Sequence, residues 1–337
     1  MKPSTLLPLL ANAFAHQRKV LIKGAPGIGK SDIVEQASRD ANADLIIMHP
    51  SVSDPTDFKG MPALTPADPA DDRKGVQANF LPYGDLRRLA TATKPTICFI
   101  DDIGQAPGAV QAALMQLIQA RQINGVKISD KVTFCGATND STHLAGVSSI
   151  IEPVKSRWHT IVELEADLKD WKKWALHNDM PPELIAFLDL KPELLSDFKP
   201  TRDLTNSPSP RTVAAVGGWL KVGITDYEVL AGAVGQGFAV EFTSFLKVWH
   251  TIPDISAITT DPNNAPLPSS PATKFAICSM LTHHATKQNI TPFITYLYRM
   301  GAEWQMRAVK DFIIKDPNLA ETSAFIDWAS TNAPALA

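Results

Sequence analysis

The chain has 337 residues, 45% of them apolar and 20% charged, which is material for about two globular domains with cores of their own and excludes a disordered or fibrous chain. Lysine plus arginine number 32 against 35 acids, so a net charge of -3 supplies no general attraction for nucleic-acid backbones or anionic membranes. Three scattered cysteines, Cys98, Cys135 and Cys278, exclude a disulfide framework and lack zinc-ligand spacing, and a reducing cytoplasm fits them.

At the N-terminus, Leu6, Leu7, Leu9 and Leu10 followed by Ala13, Phe14 and Ala15 imitate a secretion signal. The apolar run falls short of the roughly seven residues such a signal needs, so a short helix packed on the following domain is expected. No stretch approaches the roughly eighteen apolar residues of a membrane span. Strands are expected at Val20–Lys23, Asp44–Met48, Thr96–Ile100, 132–136 and Thr160–Glu163. They alternate with helical patterns, which predicts βα units and a mostly parallel, covered sheet. Segment 51–73, rich in Pro, Asp and Gly, interrupts this pattern and reads as an inserted loop or hairpin suited to a partner contact. From Ala166 the strand signal fades. Helices are expected over Leu168–His177, 182–188, Pro210–Lys221 and 227–250, a linker over 259–271, and further helices over 274–285, 291–298 and 302–314.

Between the first strand and the helix that follows it stands Gly24-Ala25-Pro26-Gly27-Ile28-Gly29-Lys30-Ser31, a match to G-x-x-x-x-G-K-[ST] in the strand-to-helix context its mechanism requires. The glycines allow backbone amides to converge on phosphate oxygens, and the helix N-terminus adds partial positive charge. Lys30 would reach the β- and γ-phosphates and Ser31 would ligate magnesium, so ATP and Mg2+ are the expected cofactors, with Asp32 the next residue of the binding segment. The apolar run Thr96–Ile100 ends in Asp101 and Asp102. Asp101 fits the magnesium-linked Walker B position, and Asp102 stands where a carboxylate polarises the attacking water. A further apolar run ends in Asn139, which could orient water beside the γ-phosphate, although an Asn at a strand end is more often a cap or turn residue.

This succession resembles the MoxR-like branch of AAA+ ATPases, including the relatives called CbbQ and NorQ, and in particular the AAA-type ATPases encoded by bacteria and their phages. The resemblance is carried by the phosphate loop, then Phe99-Ile100-Asp101-Asp102-Ile103-Gly104-Gln105-Ala106-Pro107, the helix from Val110 to Leu117, the Arg121-Gln122-Ile123-Asn124-Gly125 hairpin and the Asn139 strand end. It implies a P-loop AAA+ parallel sheet with flanking helices at 1–165, an all-helical lid at 166–258, and a linker with a C-terminal helical region at 259–337. It also implies a homo-oligomeric ring, commonly a hexamer, that remodels or activates a protein client, often one with a von Willebrand factor A domain.

Within that family Arg157 corresponds to the arginine finger, which enters the neighbouring subunit's site, and Arg211, in Ser209-Pro210-Arg211, to the sensor-2 position; a surface salt bridge and an idle exposed arginine are the plain alternatives. Where the family commonly has Asp-Glu this chain has Asp101-Asp102, one methylene shorter at the second position, so hydrolysis is expected to be modest. A nucleic-acid motor or loader, and a weakly hydrolysing nucleotide-dependent scaffold, are the rival functions.

Other features carry less. Phe58, Lys59, Gly60 and Met61 sit in the insertion, where they could face a ring pore or a client. Lys169, Lys172 and Lys173 with Trp171 and Trp174 read as a solvated basic helix face with its tryptophans turned inward. His283 and His284 lack a third metal ligand.

Overall fold

The structure is a computed structural model that describes residues 1–66, 75–139, 150–201 and 203–332. The chain divides into two compact units, Met1–Glu165 and Ala166–Ala337. In the first, the elements run α1 (Pro3–Ala15), β1 (Val20–Lys23), α2 (Lys30–Asp40), β2 (Asp44–Met48), α3 (Pro55–Lys59), β3 (Met61–Pro66), β4 (Val76–Leu81), α4 (Gly84–Ala90), β5 (Thr96–Ile100), α5 (Gly108–Ala120), β6 (Gln122–Ile123), β7 (Val126–Lys127), β8 (Val132–Thr138), α6 (Glu152–Lys155) and β9 (Thr160–Glu163).

Five of these strands form one parallel sheet in the order β2-β5-β8-β1-β9. Every residue of β5 and β8 is buried, as continuous apolar runs in a sheet covered on both faces require. Because the strands are parallel and neighbouring, Gly24 after β1, Asp101 after β5 and Asn139 after β8 all emerge at one edge of the sheet. Ligands in open α/β sheets bind outside the carboxyl ends of the strands, at this edge. The terminal helix α1 buries Leu6, Leu10, Ala13 and Phe14, and it packs on α2.

The insertion is a capped turn of helix followed by an antiparallel ribbon, β3 on β4, in register from Met61 opposite Leu81 to Pro66 opposite Val76. Its 67–73 portion lies outside the described residues. Phe58 does not face outward. Asp54 and Asp57 close a capping box around α3, which turns Phe58 fully into the core beside Leu86, Leu89 and Leu117. Only Met61 of the four residues singled out in this loop is exposed. The β6–β7 hairpin turns through Asn124 and Gly125 at φ of 48° and 82°, the left-handed pair a two-residue turn demands.

The second unit is helical: α7 (Leu168–His177), α8 (Pro182–Leu190), α9 (Pro210–Lys221), α10 (Tyr227–Val234), α11 (Gln236–Trp249), α12 (Ile255–Thr260), α13 (Pro271–His284), α14 (Ile290–Met300), α15 (Ala302–Lys315) and α16 (Ser323–Asn332). The segment 227–250 is two helices, broken at Gly235, whose φ of 93° a helix cannot contain and whose Cβ would lie 2.7 Å from the Asn206 carbonyl. The basic face expected on α7 is partly interior. Lys172 is buried, donating to Asp189 at 2.6 Å and Asp311 at 2.5 Å, and Arg307 holds the other Asp189 oxygen at 2.5 Å. A buried lysine is tolerable only with its charge answered in this way. Trp171 packs inward as expected, whereas Trp174 is exposed.

Among the described residues no helix is long and apolar enough to cross a membrane. Emptying the Phe58 site leaves a cavity at the junction of α3, α4 and α5. Phe58→Ala is therefore expected to cost about 3–5 kcal/mol in the stability of the first unit, read by chemical denaturation; an unshifted midpoint would show that this side chain is not a core residue.

Candidate functional site

The loop after β1 is bound to both neighbouring strands before it turns. Gly24 N donates to Thr138 O at 3.2 Å, and Leu164 N donates to Lys23 O at 2.8 Å. A Cβ on Gly24 would stand 2.5 Å from Ile28 Cδ1 and 2.8 Å from the Leu164 carbonyl, so this position accepts no side chain. Gly27 and Gly29 adopt φ of 75° and 91°, conformations in which L side chains are strained. Ala25 and Pro26 complete the bend and Ile28 is buried beneath it. The chain then enters α2 with Gly29 as its N-cap and Lys30 as its first residue.

Lys30 is almost fully buried. Its Nζ donates to Gly24 O and Ala25 O, each at 2.9 Å, and to Asn139 Oδ1 at 2.8 Å. Asn139 in turn donates through Nδ2 to Asp102 Oδ1 at 3.1 Å. Ser31 Oγ donates to Asp101 Oδ2 at 2.8 Å, and the Asp102 amide donates to Asp101 Oδ1 at 3.0 Å. Lys30 and Ser31 on the first turn of α2 thus join Asp101, Asp102 and Asn139, beyond the ends of β5 and β8, in one network. An amide is the residue type position 139 needs, because it must accept from a cation and donate to a carboxylate at once. Asp102 has a φ of 51°, the left-handed conformation that Asp tolerates better than most residues and that recurs at functional turns.

These residues suit a nucleotide and its metal. The loop has no side chain where a phosphate must approach, a lysine stands at its end, and a hydroxyl already faces a carboxylate. Among the described residues no cluster of three or more His, Cys, Asp or Glu could hold a metal, so an ion at Ser31 and Asp101 would complete its shell with water and phosphate, as Mg2+ characteristically does. Asp32 is exposed on the first turn of α2, where its charge suits the helix N-terminus, and it makes no hydrogen bond to the network.

Arg157 is elsewhere. The His159 amide donates to Lys19 O, and Thr160 pairs with Val20 in parallel register, so Arg157 lies where β1 and β9 begin, at the sheet edge opposite Gly24. Its neighbour Trp158 is buried against Gly136 of β8, where an added Cβ would fall 2.7 Å from the indole ring. A glycine inside a strand signals such a close approach. Gly136 is the one sequence signal for this contact, and Lys19 and Arg121, near Arg157, come from separate segments with none. Arg211 belongs to the second unit, exposed on the first turn of α9, whose capping box Ser209 and Thr212 close.

Residues 19–157 match the family described as AAA domain (dynein-related subfamily). This segment is similar to an AAA domain. Solved structures similar to the chain include a mutant RuvB from Thermotoga maritima, 17% identical over 78% of this chain and 75% of that one with a TM-score of 0.42. NtrX from Brucella abortus in complex with ATP is 13% identical over 88% of this chain and 67% of that one, TM-score 0.45. The Thermotoga maritima RuvB Holliday junction branch migration motor is 14% identical over 97% and 86%, TM-score 0.36. Comparison with curated proteins finds no match. The matched segment contains Lys30, Asp101, Asp102, Asn139 and Arg157, and Arg211 lies beyond it.

Overpacking of the kind a Gly24 Cβ would cause costs about 1–3 kcal/mol. Gly24→Ala is accordingly expected to weaken MgATP binding about tenfold or more in calorimetry, with the circular dichroism spectrum unchanged; undiminished affinity would mean the loop is not the phosphate cradle.

Proposed function

We propose that the chain is a MgATP-hydrolysing AAA+ protein of the MoxR-like kind, working in the cytoplasm as a self-assembled ring, a hexamer by that resemblance, to remodel or activate a partner protein. A client with a von Willebrand factor A domain is the type the same resemblance favours. The observation that carries the reading is the continuous network from Lys30 through Asn139 to Asp102, beside the Ser31 and Asp101 pair.

In this reading the Gly24 to Gly29 backbone and the first turn of α2 hold the phosphates, and Lys30 balances their charge. Ser31 and Asp101 hold magnesium, which when bound supplies further positive charge against the phosphate oxygens. Asp102 takes the proton of the attacking water, and the Asn139 amide fixes the direction of that carboxylate. Lys30 fixes Asn139 in its turn. Arg157 cannot serve its own chain's loop, since the full length of β1, about 13 Å at roughly 3.3 Å per residue, separates the two edges. It serves the site of a neighbouring copy, so hydrolysis belongs to the assembled state.

The aspartate at position 102 makes the carboxylate shorter than the glutamate of the family pattern, and a displacement of about 1 Å can cost on the order of a hundredfold in rate. Turnover is therefore slow. Asp102→Asn preserves an oxygen for Asn139 to donate to and removes the base. It should lower ATP turnover by about a hundredfold or more while leaving MgATP affinity intact; equal turnover in the variant would remove Asp102 from catalysis.

A further inference from the structure

The buried face of α5 carries one polar side chain. Val110, Ala113, Leu114, Leu117 and Ile118 lie inside at helical spacing, and Gln111 lies among them with 1% of its surface exposed. A leucine or methionine would fill the same volume without taking an amide out of water, so packing alone does not call for glutamine here. Both ends of the amide are answered by backbone. Nε2 donates to Ala106 O at 3.1 Å, and Oε1 accepts from Ile151 N at 3.1 Å. A carbonyl on one side and an N-H on the other admit a single orientation of the group.

The first of these partners leads to the acids. Ala106 closes the 3-10 turn Ile103–Gln105, and Asp102 is the N-cap of that turn. Gln105 N donates to Asp102 O at 2.9 Å and Ala106 N to Ile103 O at 3.3 Å, which makes the segment a closed unit with Asp102 at one end and Ala106 at the other. Ile103 and Ala106 are fully buried. The left-handed φ of 51° at Asp102 costs energy and persists only where its surroundings hold it. Asp101 Oδ1 holds the near end by accepting from the Asp102 amide, and Gln111 holds the far end. The second partner is a firm support: Ile151 is the N-cap of α6, and its neighbours Ile150 and Val154 are buried in the same core as Ile103 and Leu114.

We propose that Gln111 is a positioning residue for ATP hydrolysis, fixing Asp102 through the Ala106 end of this turn with Ile151 as the support behind it. The inference rests on the reading of Asp102 as the base. An aspartate has a single methylene between backbone and carboxylate, so the place of that carboxylate is set mainly by where the backbone is held. Asn139 directs the carboxylate itself, and Gln111 governs the main chain that carries it. A fully satisfied buried amide is suited to this, because it specifies one arrangement of the segments it joins.

The test uses the full chain with Gln111→Met, which keeps the side-chain length and removes both hydrogen bonds, with Asp102→Asn, and with the two combined. Turnover, MgATP affinity by calorimetry and the denaturation midpoint are measured for each. Gln111→Met is expected to lower turnover at saturating MgATP on the order of tenfold with MgATP affinity unchanged. It should lower the residual turnover of Asp102→Asn no further, since the two residues act as a unit. Ile151→Pro removes the amide that Gln111 accepts from, at an exposed position whose φ of -61° proline shares, and should reduce turnover in the same direction. Wild-type turnover in folded Gln111→Met, alongside a slowed Asp102→Asn, would overturn the inference and spare the base reading. Losses that multiply in the double variant, or MgATP affinity that falls in step with turnover, would overturn it as well. Full turnover in Asp102→Asn would overturn both. Should Gln111→Met fail to fold, Ile151→Pro decides: slowed turnover at unchanged affinity supports the inference, and unchanged turnover overturns it.

Discussion

The hydrogen bonds that run from Lys30 through Asn139 to Asp102 tie the candidate site together. They join a buried cation to a carboxylate across the carboxyl ends of three neighbouring strands, and they exist only because β1 is inserted beside β8 while β8 pairs on its other side with β5. Because β8 lies between β1 and β5, Asn139 stands between the phosphate loop and the acids. A charge as deeply buried as Lys30 needs such company, since a lone ammonium removed from water would lose its proton or destabilise the domain.

The same sheet imposes a second constraint. Parallel strands have two unlike edges, and this chain places its acids and the glycine loop at one of them and Arg157 at the other. Trp158 fastens the second edge by packing its indole ring on Gly136 in the middle of β8. One rigid sheet thereby fixes the position of a loop and of an arginine that cannot meet within a single chain. Function in this reading is a property of the contact between copies, and the fold supplies both halves of that contact.

What could be read in advance follows from how local each signal is. The strands β1, β2, β5 and β9 are short apolar runs with polar ends, and Lys30, Ser31, Asp101 and Asp102 sit in contiguous motifs whose chemistry is legible without neighbours. Strand β8 continues to Thr138, past the expected end at Gly136, because Ala137, a weak strand former, is held in the ladder by pairing with Ile22, and Thr138 follows opposite Lys23. Phe58 and Lys172 are buried against expectation for a shared reason: each lies in a polar stretch, and only tertiary partners, the core around Leu86 for one and Asp189 with Asp311 for the other, turn them inward. The break at Gly235 was visible as a glycine, but its cause is the close Asn206 backbone, far away in sequence.

The central claim is that the cradle ending at Lys30, with the acid at Asp101, binds a magnesium-complexed nucleoside triphosphate. Titration calorimetry of the folded full chain tests it most directly. Saturable, magnesium-dependent heat with ATP is expected at one site per chain, abolished in Lys30→Met. Absence of heat at millimolar MgATP, or the same isotherm for Lys30→Met and the parent chain, would contradict it.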